Sequence, residues 1–385
     1  MKEAQKKHPY GRQSISESDI RSVVTVLRSD FLTQGPLVGK FEESLCRYTG
    51  AKHAVAVANG TIALHLATLA LNIGRGDEAI TSPNTFLASA NCIAYCGGNP
   101  TFADIEPTTA NIDPKNIETK ITSKTKAIIP VHFAGQSCDM AAIQKIARKY
   151  GLKIIEDAAH AIGSDYKDSK VGSCKYSDLT TFSFHPVKTI TTGEGGAIMT
   201  NDDELYEKLL MLRSHGMTKS PKRLEKNGGA WYYEMQMLGY NGRITDIQSA
   251  LGISQLKRLE KFKAKRRKLV ETYRKLLEGD ERFSMLEEKS YSNTCFHLCP
   301  ALLNFDIVRK SKKEIFSDLA TNGIHLQVHY IPVSTQPFYK GRGFKDGDYP
   351  NAEEYYRCAM SLPLYADLTV SDVRYIVKTI KEVVR

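Results

Sequence analysis

The 385-residue sequence predicts an α/β protein, with a large N-terminal part built on a mostly parallel sheet and a smaller α/β part at the C-terminus. Two observations carry this expectation. Short apolar runs alternate with helix-period stretches from residue 54 to 200, the pattern of strands joined by helices into a parallel sheet. A strongly basic helical segment then spans 255–277, after which strand-like and helical stretches resume with a different character. The boundary falls at that helix. Residues 1–255 form the large domain with its N-terminal helical segment, and 256–385 the linker helix and small domain.

Composition narrows the class. With 42% hydrophobic and 25% charged residues, the chain has the balance of an ordinary globular protein. No apolar run reaches the roughly 20 residues a membrane span needs, and the first seven residues, Met-Lys-Glu-Ala-Gln-Lys-Lys, lack the apolar core of a signal peptide. A cytoplasmic protein without a membrane partner is expected. The eight cysteines are scattered. Cys92/Cys96 and Cys295/Cys299 have no partner set at zinc-site spacing, so reduced thiols and no metal are expected. The net charge of +10 suits an anionic ligand or nucleic acid. The densest basic run, 257–268, carries Leu256, Leu259, Phe262 and Leu269 on one side and reads as an amphipathic helix with a basic solvent face. No nucleic-acid motif accompanies it, so phosphate-bearing small molecules are the expected ligands.

In chain order, Ser16 with Asp19 three residues on opens a helix through Leu27. A Gly-Pro loop and a second helix, ended by Gly50, follow. Residues 54–67 read as strand, turn and helix, with Asn59-Gly60-Thr61 at the helix N-terminus. Free backbone N–H groups and the helix dipole favour a phosphate at such a turn, although plain capping by Asn59 also accounts for it. Further strands are expected near 79, 101 and 128, and a helix over 140–150. The run Leu-Lys-Ile-Ile-Glu-Asp-Ala-Ala-His, 152–160, reads as a strand ending in Asp157 with His160 close behind. Residues 179–184 and 196–200 read as strands flanking a polar turn that holds Lys188. Beyond the linker helix come an apolar run at 296–303, a helix over 312–321, a strand from 324 closed by His329 and Tyr330, and a final helix over 370–384.

Ligands of open parallel sheets sit at the carboxyl ends of strands. A lysine there, held in a turn and low in pKa, can form an imine with a carbonyl. A carboxylate at a neighbouring strand end can keep a pyridine nitrogen protonated. Lys188 and Asp157 match those two demands of a pyridoxal phosphate site. No Ser-His-Asp or P-loop pattern competes with this reading.

Glu-Asp-Ala-Ala-His-Ala-Ile-Gly at 156–163, followed by Phe-Ser-Phe-His-Pro-Val-Lys-Thr-Ile-Thr-Thr-Gly-Glu-Gly-Gly at 182–196, resembles the DegT/DnrJ/EryC1/StrS family of nucleotide-sugar aminotransferases. Within it, the run resembles the pseudaminic acid branch most. The resemblance implies the aspartate-aminotransferase-like fold of type I and pyridoxal 5'-phosphate as cofactor. It implies transfer of an amino group from L-glutamate to C4 of a UDP-linked 4-keto-6-deoxy-N-acetylhexosamine. The alternative acceptor is a dTDP- or GDP-linked 3- or 4-keto-6-deoxy sugar. By the same resemblance, Lys188 holds the cofactor and Asp157 meets its ring nitrogen. Gly60, Thr61 and Ser183 hold its phosphate, Phe86 stacks on its ring, and His160 lies on its phenolic oxygen side. Asn241 is implied to reach the phosphate of a neighbouring subunit, hence a homodimer with a shared site. Where the family often has serine, this chain has Asn59. The substrate candidates are His185, His215, His329 and Tyr330, the last two in a segment like the family's Val-His-Tyr. Dehydratase relatives carry histidine at the lysine position, so Lys188 speaks against a dehydratase.

Overall fold

The computed structural model describes residues 6–226 and 228–385. Residues 1–5, on which the signal-peptide expectation partly rests, lie outside the described residues. A seven-stranded sheet runs in the order His53–Val57, Gly196–Thr200, Leu179–Ser183, Lys153–Asp157, Thr125–Ile129, Glu78–Thr81, Asn99–Phe102. Gly196–Thr200 is antiparallel to both neighbours, and every other pairing is parallel. Alternation along the strands feeds two cores. Val55, Val57, Ile155, Leu179 and Ile198 pack under the helices Gly60–Ala70 and Asp203–Arg213. Ala54, Ala56, Phe182, Ala197 and Met199 pack with Phe41, Leu45, Leu259 and Phe262 on the other face. Period-2 side-chain alternation allows a strand to serve both layers.

The expected helices form with the expected caps. Ser16 and Asp19 make a reciprocal capping box, and Gly50 closes Pro36–Thr49 in the left-handed conformation. The expected continuous helix over 255–277 is two helices, Asp246–Leu256 and Leu259–Leu277. Arg258 between them leaves helical geometry (φ −102°, ψ −3°), and its guanidinium bonds Asp19 at 2.8 Å. The second helix bridges the two halves. Leu259 and Phe262 lie in the sheet-side core, whereas Leu269, Val270, Tyr273 and Leu277 lie in the C-terminal one. That core is closed by an antiparallel sheet of Phe283–Met285, Cys299–Leu303 and Ala359–Leu362, with helices Lys312–Thr321 and Val370–Val383 against it.

The strand expected from 324 through Tyr330 ends at His325, and the segment beyond it touches that sheet through a single antiparallel bridge, Ser361 N–H on the Gln327 carbonyl at 2.7 Å. Ile324–His325 pairs in parallel with His8–Pro9. Beyond it the backbone is drawn toward the large domain, because Tyr330 N–H donates to Asn84 Oδ1 at 3.1 Å and Val333 N–H to the Pro83 carbonyl at 2.8 Å. His329 and Tyr330 therefore sit on an irregular segment. Among the described residues, no helix is long and apolar enough to cross a membrane, and the eight cysteines are free thiols.

One buried polar network pins the strand that ends in Asp157. Glu156 accepts from His132 Nε2 at 2.7 Å and from Thr180 Oγ1 at 3.0 Å. Cys138 N–H donates to His132 Nδ1 at 3.1 Å, so the imidazole proton resides on Nε2. Burial opposes charge on Glu156, but hydrogen bonds from His132, Ser177 and Thr180 win and hold its carboxyl below the usual carboxylate range. Glu156→Ala leaves these donors without an acceptor and should lower the unfolding free energy in urea by about 3 kcal/mol. Because the folded pKa is depressed, the wild-type contribution is complete above the ordinary glutamate pKa and is lost as pH falls through the folded value. Equal stability of the variant at pH 7 would contradict this role.

Candidate active site

Five strands of the large sheet deliver their carboxyl ends to one cavity of about 850 Å³. Its lining includes Asn59–Thr61 after the first strand, Thr85–Ala88 after the second, Val131, then Asp157, Ala159 and His160, and Thr181–Ser183. Strand Lys153–Asp157 lies parallel to Leu179–Ser183 with Asp157 opposite Thr181. The chain then leaves Ser183, turns through Lys188 and returns as the reversed strand Gly196–Thr200. The register places the aspartate and the lysine at the same end of adjacent strands.

Asp157 is buried. Ser89 Oγ donates to its Oδ2 at 2.6 Å and Ala159 N–H to its Oδ1 at 3.0 Å. Ser89 is in turn tied to Thr85 at 2.7 Å. Both carboxylate oxygens are thus oriented by the chain, while one side still faces the cavity. Lys188 lies in the same lining. Loss of hydration pulls its pKa from the ordinary lysine value to about 8, against the opposing pull of the Asp157 charge. About a tenth of the amine is therefore unprotonated, and nucleophilic, at pH 7, far more than for an ordinary lysine.

The turn Asn59–Thr61 opens the helix Gly60–Ala70. Asn59 Oδ1 accepts from Ile62 N–H at 2.9 Å and the Asn59 carbonyl from Ala63 N–H at 3.1 Å. Among the described residues nothing accepts from the Gly60 and Thr61 N–H groups, which border the cavity. Two glycines make the cradle tight. A Cβ on Gly60 would lie 2.8 Å from Ser183 Cβ, and one on Gly196 only 2.5 Å from the Asn59 carbonyl oxygen. Two free amides at a helix N-terminus beside a serine hydroxyl fit a phosphate. With an imine-forming lysine and an oriented carboxylate, the donor set fits pyridoxal phosphate.

His160 completes the inner wall. Its Nε2 lies 3.0 Å from the Tyr330 hydroxyl and its ring 4.5 Å from that of His297. Burial, then the Lys188 charge, holds its pKa well below the usual histidine value. Burial and the same charge push His329 down to about 3. His329 Nδ1 pairs with Ser361 Oγ at 2.8 Å. These imidazoles are neutral at pH 7, so they hydrogen-bond rather than carry charge. Phe86 projects from the Thr85–Ala88 wall, 58% exposed, with its ring 6.2 Å from Tyr330.

The cavity therefore gathers Gly60, Thr61, Phe86, Asp157, His160, Ser183, His185, Lys188, His329 and Tyr330. His215 and Asn241 do not line it. They lie on two exposed loops joined to each other, with His215 N–H on the Tyr240 carbonyl at 2.9 Å and a bridge between Ser214 and Asn241. Ser89, His297 and Tyr10 escaped sequence reasoning. Ser89 could be found only by knowing that the first turn of its helix, Ala88–Tyr95, packs against Asp157, and the other two come from segments distant in the chain.

Comparison with known proteins agrees with this geometry. The DegT/DnrJ/EryC1/StrS aminotransferase family matches residues 13–381. The chain is 40% identical over 374 residues, covering 96% of both chains, to the UDP-4-amino-4,6-dideoxy-N-acetyl-beta-L-altrosamine transaminase of Campylobacter jejuni. It is also 40% identical over 379 residues to the spore coat polysaccharide biosynthesis protein SpsC of Bacillus subtilis, covering 98% of this chain and 97% of that one. Among solved structures, Helicobacter pylori PseC, an aminotransferase involved in the biosynthesis of pseudoaminic acid, superimposes with a TM-score of 0.90 at 36% identity, covering 98% of this chain and 99% of the other.

Proposed function

The chain belongs to the DegT/DnrJ/EryC1/StrS aminotransferase family and is a pyridoxal-phosphate-dependent sugar aminotransferase, and we propose that it moves the amino group of L-glutamate to C4 of a UDP-linked 4-keto-6-deoxy-N-acetylhexosamine. The observation that carries the chemistry is the pairing of a half-buried, poorly hydrated Lys188 of lowered pKa with an oriented Asp157 in one cavity. The named C. jejuni transaminase and the PseC likeness support the acceptor, and a product used for pseudaminic acid or a related surface sugar.

Pyridoxal phosphate, when bound, supplies an electrophilic carbon and an electron-withdrawing ring. Lys188 Nζ would hold it and would serve as the base and acid that moves a proton from the amino donor's α-carbon. Asp157, oriented by Ser89 and the Ala159 amide, would keep the ring nitrogen protonated. Gly60, Thr61 and Ser183 would hold the phosphate. Phe86 would pack on the ring, and His160, tied to Tyr330, would serve the phenolic oxygen. His185, His329 and Tyr330 would meet the sugar.

We assign the active unit as a homodimer with a shared site. Asn241 is exposed and outside its own cavity, and the nearby Trp231, Met235 and Leu238 expose 79%, 61% and 77% of their surface. A diphosphate needs cations, and Lys188 is the one lysine or arginine among the described residues lining this chain's cavity. Mixing Lys188→Ala with Asn241→Ala subunits, each weakly active or inactive alone, should restore activity as heterodimers form. No recovery after confirmed subunit exchange would exclude sharing.

A panel of UDP-, dTDP- and GDP-linked 3- and 4-keto-6-deoxy sugars with glutamate tests the acceptor. The UDP-4-keto sugar should lead in kcat/KM by roughly tenfold or more, the scale set by a few specific polar contacts. A preference for a dTDP-3-keto sugar would overturn the acceptor while leaving aminotransfer intact.

A further inference from the structure

One wall of the cavity comes from neither the sheet nor the helices beneath it. Residues 6–14 form a strap. It is anchored on the C-terminal half by Lys6 on Asp372 at 2.6 Å, by His8 N–H on the Gly323 carbonyl at 2.8 Å, and by the parallel pairing of His8–Pro9 with Ile324–His325. Leu364 N–H donates to the Tyr10 carbonyl at 2.9 Å. Farther on, the Ser14 carbonyl accepts from Gln255 Nε2 at 2.9 Å, and its hydroxyl donates to Asp367 at 2.8 Å. Between these ties the strap crosses the lysine turn, where a Cβ on Gly11 would touch Val187 Cβ at 3.5 Å.

At that crossing Tyr10 joins the cavity lining. Its ring packs on His329 with centroids 5.2 Å apart. Its hydroxyl has no hydrogen-bond partner among the described residues. Burial raises its pKa, so the phenol remains a neutral donor throughout the physiological range. His329 in turn feels the charge of Lys188, which puts Tyr10 one ring away from the reacting amine. A neutral donor on an aromatic face suits a pyranose, whose C–H face stacks and whose oxygens accept. The carboxylates of glutamate call instead for cations.

We propose that Tyr10 is a specificity-determining residue for the acceptor, its hydroxyl donating to an oxygen of the sugar while its ring bounds the sugar's side of the cavity. The inference rests on the sugar-acceptor reading above. It assigns to the N-terminal strap a role that the cofactor motifs do not cover. The strap is tied to the C-terminal half at both ends, through Lys6 and His8 at one and Ser14 at the other, and packs on the lysine turn between them. Acceptor contact at Tyr10 would therefore be felt by both halves of the chain.

The test uses the holoenzyme and splits the two half-reactions. Tyr10→Phe keeps the ring and loses only the hydroxyl. It should raise the KM for the nucleotide sugar roughly tenfold, the worth of one hydrogen bond. The glutamate half-reaction, followed by the visible absorbance of the bound cofactor, should stay within about twofold of wild type. Ser14→Ala, which loosens the strap away from the cavity, should behave as wild type. An unchanged acceptor KM in Tyr10→Phe, an equal slowing of both half-reactions, or the same KM rise in Ser14→Ala would overturn the assignment. Failure of the wild-type enzyme to aminate any nucleotide-linked keto sugar would instead overturn the acceptor reading, and this inference with it.

Discussion

An ammonium group is poorly solvated at the end of a buried parallel sheet, and much of this structure follows from placing Lys188 there beside a single carboxylate. Desolvation moves its pKa to about 8, while the Asp157 charge limits the shift. Too much carboxylate would restore an ordinary lysine, and too little would leave the amine neutral but undirected. The carboxylate is therefore itself constrained, by Ser89 and the Ala159 amide, and its strand is pinned from behind by Glu156, His132 and Thr180. The positive field of Lys188 is one reason His160 and His329 stay neutral. The wall around the amine can then hydrogen-bond without competing for its charge.

Sheet topology makes that pairing possible. The reversed strand Gly196–Thr200 sits between two strands of the opposite sense, so the turn from Ser183 to Gly196 folds back over the carboxyl ends instead of leaving through a helix. The same edge carries the Asn59–Thr61 turn, and Gly196 lies against the Asn59 carbonyl with no room for a side chain. The Asn59–Thr61 turn and the lysine turn are consequently packed on each other. The glycines at 60 and 196 are needed for close approach, independently of any contact with ligand.

The parts legible in the sequence are those in which chemistry and backbone are local to one another. Asp157 follows directly from its strand, Lys188 lies in the turn between two readable strands, and Gly60-Thr61 opens a readable helix; each falls in the cavity. The segment 326–332 was not legible as it stands, because its extended pattern resembles a strand while only Gln327 bridges a neighbouring strand and Asn84, in the other half of the chain, takes the Tyr330 amide. The break at Arg258 likewise depends on Asp19, 239 positions away. Ser89, Tyr10 and His297 carry no local signal, since a serine in a helix, a tyrosine near a terminus and a histidine beside a strand ordinarily serve packing or solvent contact. Their relation to the site exists only after the chain ends are brought together.

In the proposed reaction Lys188, alone among the lysines of this chain, is the amine that engages the cofactor. Borohydride reduction of the holoenzyme followed by peptide mass mapping tests it directly, because reduction makes the lysine–cofactor bond permanent. A pyridoxyl group is expected on the peptide containing Lys188, at about one per chain, with its yield falling sharply when glutamate is added before the reductant. Label on another lysine, or a yield at Lys188 that glutamate leaves unchanged, would contradict it.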